Sequence, residues 1–179
     1  MEKVQRLTYQ QVKDGHVTFE ECQILQDHAK GKVCLEIGSW FGRSTIAMAE
    51  TAEKVYAVDT FKGLPPTQDQ SDVFTSLNGF LKNINGYKNI HIIINRSGLA
   101  VPKIKETFDL VFIDGLHTYE AVKTDAENSL KLLRPGGLMF FHDYYPEGVY
   151  GVKQAVDELF TGIEGSLGMM VWVRQEMAK

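Results

Sequence analysis

Short continuous apolar runs alternate with amphipathic stretches along this chain. The runs fall at Val33–Ile37, Lys54–Val58, Ile90–Asn95, Leu110–Ile113 and Leu138–His142, and Leu167–Arg174 reads as a last strand. Runs without polar alternation are what strands covered on both faces require. Helical patterns lie between them, at Thr18–Ala29, Ser44–Thr51, Val73–Asn83, Tyr119–Leu132 and Val149–Phe160. The Arg-Pro-Gly-Gly run from Arg134 to Gly137 is expected to end the fourth helix with a proline stop and a glycine turn. Strand and helix in alternation predict an α/β fold: a doubly wound, mostly parallel Rossmann-like sheet with helices on both faces. Only TGIEGS separates Phe160 from Leu167, so the penultimate strand is expected to be very short or absent.

The 179 residues suit a single domain over 1–179, with an N-terminal helical cover at 1–30 and the sheet core at 31–179. Apolar content of 44% and charged content of 23% are ordinary for a soluble globular chain. A net charge of −4 without a basic stripe argues against nucleic acid as a partner. No run suits a membrane span and no leader is visible, which makes the cytoplasm the expected compartment. Cys22 and Cys34 are the only cysteines, and Cys34, inside a strand, reads as a small core residue.

The chemistry concentrates at strand ends. Val33–Ser44 reads VCLEIGSWFGRS, an apolar strand running through Glu36 into glycines and then a helix, and Asp59 closes the next strand. A glycine turn after the first strand, with an acid about 20 residues on for ribose hydroxyls, builds a nucleoside pocket at the sheet's switch point. A dinucleotide fingerprint is G-x-G-x-x-G, whereas this chain has E-x-G-x-x-x-G without a third glycine to pack under a pyrophosphate. That gap disfavours a nicotinamide oxidoreductase. A non-catalytic cofactor-binding module stays open beside an enzyme.

E-x-G-x-x-x-G followed by a strand-ending acid resembles the first two motifs of class I S-adenosylmethionine-dependent methyltransferases. Downstream, Asp114, Gly115, His117, Tyr119, Asp125, Pro135 to Gly137, His142 and Asp143 follow the pattern of one small-molecule O-methyltransferase branch. It includes the macrocin-type sugar enzymes and the methyltransferases found beside cephalosporin hydroxylase-like proteins. Thr60 to Pro65 resembles the macrocin D-x-F-x-G-L-P segment. The resemblance covers about Val33 to Val156. It implies a terminal antiparallel pair of strands and O-methylation of a small hydroxylated acceptor.

For the cofactor, S-adenosylmethionine, the candidate residues are Glu36, Gly38, Ser39, Gly42, Ser44, Asp59, Thr60, Ser97 and Asp114. Glu36 is assigned to the methionine amine, directly or through water, and Asp59 to both ribose hydroxyls. Gly38 is expected to let backbone approach the ligand, Gly42 to relieve the turn, and Ser44 to cap the helix. Asp114 and Asp143 end adjacent strands, so their carboxylates are expected to converge. Two carboxylates with His142 make a candidate site for Mg²⁺, or for Mn²⁺ because imidazole prefers a softer ion. Adjacent residues point to opposite faces while a strand lasts, which constrains the use of both His142 and Asp143. His117, with Asp114, is the catalytic candidate, since imidazole titrates near neutrality and suits a general base. His16, His28 and His91 lack a constellation. Lys62–Ser76 reads as a lid. Trp40, Phe41, Phe61, Tyr144 and Tyr145 are candidates for an acceptor wall. The segment Val17–Ala29 is expected to cover one face and to be available for the acceptor site or a homodimer contact.

Overall fold

The computed structural model describes residues 6–62, 70–145 and 151–179. Its seven strands are β1 (Val33–Ile37), β2 (Lys54–Asp59), β3 (Ile90–Ile94), β4 (Phe108–Ile113), β5 (Leu133–Phe141), β6 (Gly165–Leu167) and β7 (Met170–Arg174). They form one sheet in the order β3-β2-β1-β4-β5-β7-β6. The first five run parallel. β7 is antiparallel to both of its neighbours, so β6 shares the direction of β5 and β7 alone opposes the sheet. The short penultimate strand expected before Leu167 is therefore three residues long.

Side-chain alternation divides the core into two layers. Cys34, Ala57, Leu110, Phe112 and Phe140 face α1 (Phe19–Ala29), α2 (Arg43–Ala49) and α3 (Gln70–Asn83). Leu35, Ile37, Val58, Val111, Ile113 and Phe141 face α4 (Ser97–Ala100), α5 (Tyr119–Leu130) and α6 (Gly151–Leu159). Glu36, between Leu35 and Ile37, must by the same alternation point toward the α2 layer. Strand order reverses between β1 and β4, and the crevice outside their carboxyl ends is where this architecture binds ligands.

Two local expectations need correction. The Arg134–Gly137 run does not end a helix: α5 already stops at Leu130, with Lys131 as its C-cap. The run instead forms an irregularity inside β5. Phe108 pairs with Leu133 and Leu110 with Leu138, so four residues loop out opposite Asp109. Arg134 holds that bulge by gripping both oxygens of Asp109 at 2.8 Å. Ser44 does not cap α2, because Gly42 takes that position in the left-handed region at φ +86°. Gln70–Asn83 and Gly151–Leu159 overlap the predicted third and last helices. Residues 63–69, the first half of the proposed lid after Lys62, and 146–150 lie outside the described residues.

Candidate active site

The glycine loop after β1 is shaped by a close approach of two backbones. Gly38 sits at φ +89°, and a Cβ there would lie 2.0 Å from the Asp114 carbonyl oxygen. Gly38 donates its N–H to Val58 at 2.9 Å, and the Asp114 N–H bonds Ile37 at 2.8 Å. The loop is thereby wedged against the end of β4, and Gly38 gives way to Asp114 rather than to open pocket.

Glu36 lies beneath this loop with its side chain fully buried. Its carboxylate accepts from the Ser39 and Ser44 hydroxyls at 2.6 Å each, and from the Thr45 hydroxyl. Burial pushes its pKa up to about 7 against those hydrogen bonds, with the nearby Asp114 charge adding to the rise. The three hydroxyls engage both oxygens of this carboxylate. Asp59 holds the loop from the other side: Oδ2 accepts from the Ser39 and Trp40 N–H groups at 2.8 and 2.9 Å. Oδ1 accepts from the Phe61 N–H at 2.7 Å. Main-chain donors thus fill three of roughly four acceptor positions on the carboxylate. Thr60 accepts from the Lys62 N–H at 3.3 Å. Ser97 opens α4 and bonds Asp125, a carboxyl that burial pushes up to about 6.

Across the loop, four titratable side chains converge. His117 Nε2 is 3.1 Å from Asp143 Oδ2 and 3.7 Å from Asp114 Oδ1. His142 Nδ1 is 3.3 Å from Asp143 Oδ2 and 3.5 Å from Asp114 Oδ1. Both nitrogens are buried and neither approach is aligned as a hydrogen bond. The attraction is between charges. The Asp114 carboxylate raises the His117 pKa above its usual value, helped by Asp143 and opposed by burial. Burial also opposes protonation of His142, but Asp114, Asp143 and Glu21 outweigh it and push that pKa up to about 12.

The backbone explains how two consecutive residues share one cavity. β5 ends at Phe141, and Asp143 adopts φ +56°. That turn frees the chain from strand alternation and swings Asp143 to the side His142 faces. Asp114, His117 and Asp143 each offer a ligand atom, and these atoms lie within 4.8 Å of one another. Metal–ligand bonds of about 2.0–2.2 Å place adjacent ligand atoms about 3.0–3.6 Å apart. The donor set and the two nitrogens without hydrogen-bond partners fit a divalent ion, and the nitrogen–oxygen separations of 3.1–3.7 Å reach just beyond that spacing. The structure also brings His117 to the group the sequence assembled from Asp114, His142 and Asp143.

Three contributors were not legible as site residues. Glu21 of α1 is buried and reaches His142 Nε2 at 3.4 Å. Its Thr18-x-x-Glu21 spacing signals a helix cap, which it forms, but carries no sign of a partner 121 positions away. Arg43 donates from Nε, Nη1 and Nη2 to the carbonyls of Val12, Lys13, Gly15 and Val17 at 2.7–3.1 Å. It pins the N-terminal strap onto the glycine loop. On that strap His16, read from sequence as a bystander, packs its ring 4.7 Å from Trp40.

The sheet order and its flanking helices define a Rossmann-like α/β fold, with the polar cluster at the carboxyl ends of its central strands. Residues 35–144, more than half of the chain, match the family described as a methyltransferase domain, and the chain belongs to that family. Solved structures share its fold. An N-methyltransferase of Bradyrhizobium japonicum, solved with S-adenosylhomocysteine, is 16% identical with a TM-score of 0.63, over 91% of this chain and 89% of that one. An rRNA methylase of Streptococcus thermophilus is 18% identical with a TM-score of 0.61, over 89% and 96%. The TDP-rhamnose 3′-O-methyltransferase of calicheamicin biosynthesis is 16% identical with a TM-score of 0.58, over 88% and 81%. Among the described residues no helix is long and apolar enough to cross a membrane.

Proposed function

We propose that this chain transfers a methyl group from S-adenosylmethionine to a hydroxyl of a small molecule. The observation that carries this reading is the convergence of Asp114, His117 and Asp143 beside the Gly38 loop. Asp59 would take a ribose hydroxyl on the free edge of Oδ1, and a second by exchanging one of its main-chain donors. Ser39, backed by Glu36, would meet the methionine end, and Ser97 the adenine side. The acceptor oxygen attacks the methyl carbon in line as the carbon–sulfur bond breaks, leaving S-adenosylhomocysteine. The hydroxyl proton passes to His117 Nε2, and the neighbouring Asp114 and Asp143 carboxylates stabilise the positive charge that results.

A second reading is favoured by the two buried nitrogens without hydrogen-bond partners. An ion would be held by Asp114, His117 and Asp143, or by the two aspartates with His142. It would supply Lewis acidity at the acceptor hydroxyl. Both readings are tested with radiolabelled S-adenosylmethionine and a panel of hydroxylated acceptors, with and without chelator. Transfer that survives chelation and is lost in His117→Ala supports the base. Transfer abolished by chelation and restored by Mn²⁺ supports the ion. Transfer only to nitrogen acceptors contradicts the O-methylation reading.

A further inference from the structure

We propose that Glu21 is a positioning residue for the site: it fixes the His142 ring so that Nε2–H points to α1 and Nδ1 faces Asp114 and Asp143. Three chain segments meet at this one buried carboxylate. Oε2 accepts from the Thr18 N–H at 2.8 Å and the Thr18 hydroxyl at 2.9 Å, and it faces His142 Nε2 at 3.4 Å. Oε1 accepts from the Met169 N–H at 2.8 Å in the turn between β6 and β7. Gly168 in that turn, at φ +59°, leaves room for it, since a Cβ there would be 2.6 Å from Oε1. Glu21 is 1% exposed and His142 3%. The Phe112 ring meets the imidazole edge-on with centroids 6.5 Å apart, so the ring is held by packing as well.

Glu21 can only accept, so the His142 nitrogen that faces it must carry hydrogen whether the ring is neutral or charged. Nδ1 is then the nitrogen turned to the aspartate pair. A carboxylate behind a site imidazole is a usual device for fixing ring direction. Helix capping alone needs Glu21 at the Thr18 end, and does not need a histidine on the same oxygen.

Long-range proton–nitrogen NMR of the ¹⁵N-histidine-labelled full chain reads the His142 nitrogens directly, with the signal assigned by its loss in His142→Gln. The parent should show a protonated Nε2 whose hydrogen exchanges slowly. Glu21→Gln, or Glu21→Asp if the glutamine variant does not fold, should speed that exchange and shift the His142 nitrogen pair. Thr18→Ala, which removes one hydrogen bond to Oε2 but keeps the carboxylate facing Nε2, should change both much less. An unshifted His142 in the Glu21 variants overturns the proposal, as does an equal shift in Thr18→Ala. This readout needs neither cofactor nor acceptor, so it stands apart from the methyl-transfer reading. If the parent binds Mn²⁺, the Glu21 variants should bind it about 10–100-fold more weakly.

Discussion

Replacing Gly38 with alanine should be among the most damaging single changes to this fold. Two independent costs fall on that position. At φ +89° any Cβ strains the backbone, by about 1–2 kcal/mol. The same Cβ would stand 2.0 Å from the Asp114 carbonyl oxygen and 2.5 Å from its carbon. Those atoms are main chain at the end of a central strand and cannot swing aside, which adds about 2–3 kcal/mol of overpacking. The total, about 3–5 kcal/mol, is a large part of the 5–15 kcal/mol typical of a domain. Gly31 is the internal control. Its φ of +68° carries the same kind of strain, yet a Cβ there would meet nothing within 4 Å. Gly31→Ala should cost only the strain, about 1–2 kcal/mol. Urea unfolding followed by circular dichroism measures both, provided the slopes agree. If the two variants fall within about 0.5 kcal/mol of each other, the Asp114 contact is not what requires glycine at position 38.

Glu36 should make stability fall as pH rises. Its carboxyl, buried and raised from 4.5 to about 7, keeps its proton in the folded state where the unfolded chain releases it. Between about pH 4.5 and 7 the wild type should therefore lose on the order of 3 kcal/mol relative to Glu36→Gln; a pH-independent difference between their unfolding curves would refute this. Cys22 and Cys34 are both buried thiols pushed up to about 12, so neither should react with a disulfide reagent until the chain unfolds, and fast labelling at neutral pH would contradict that. Arg43→Ala should cost about 2–4 kcal/mol by stranding the strap carbonyls it satisfies. It should also open the strap to cleavage after Lys13, and unchanged proteolysis would show that the clamp does not hold it.

Local pattern and long-range geometry divide what the sequence reveals. The parallel strands are readable because each is a continuous apolar run, and strand-end placement alone puts Asp114 and Asp143 at neighbouring positions. Glu36 is readable as a strand-end acid. Its burial under Ser44 and Thr45 follows from strand alternation and from α2 starting at Arg43 rather than Ser44. Proline and glycine punctuate bulges as well as helix ends, so the Arg134–Gly137 run reads as a helix stop, and only the Asp109–Arg134 pair distinguishes the two. The shared facing of His142 and Asp143 depends on a single positive φ, and a non-glycine residue does not advertise that. Arg43 and Glu21 are not legible as site residues because their partners are main-chain atoms or distant side chains, invisible to spacing along the chain.

The central claim is that the Gly38 loop and Asp59 form a site for S-adenosylmethionine and its product. Calorimetric titration with S-adenosylhomocysteine tests it most directly, with NAD as the competitor of different chemistry. S-adenosylhomocysteine should bind in the micromolar range, about −8 kcal/mol, weakened by about 1.5–3 kcal/mol in Asp59→Ala. Tight binding of NAD, no binding of S-adenosylhomocysteine, or unchanged affinity in Asp59→Ala would contradict it.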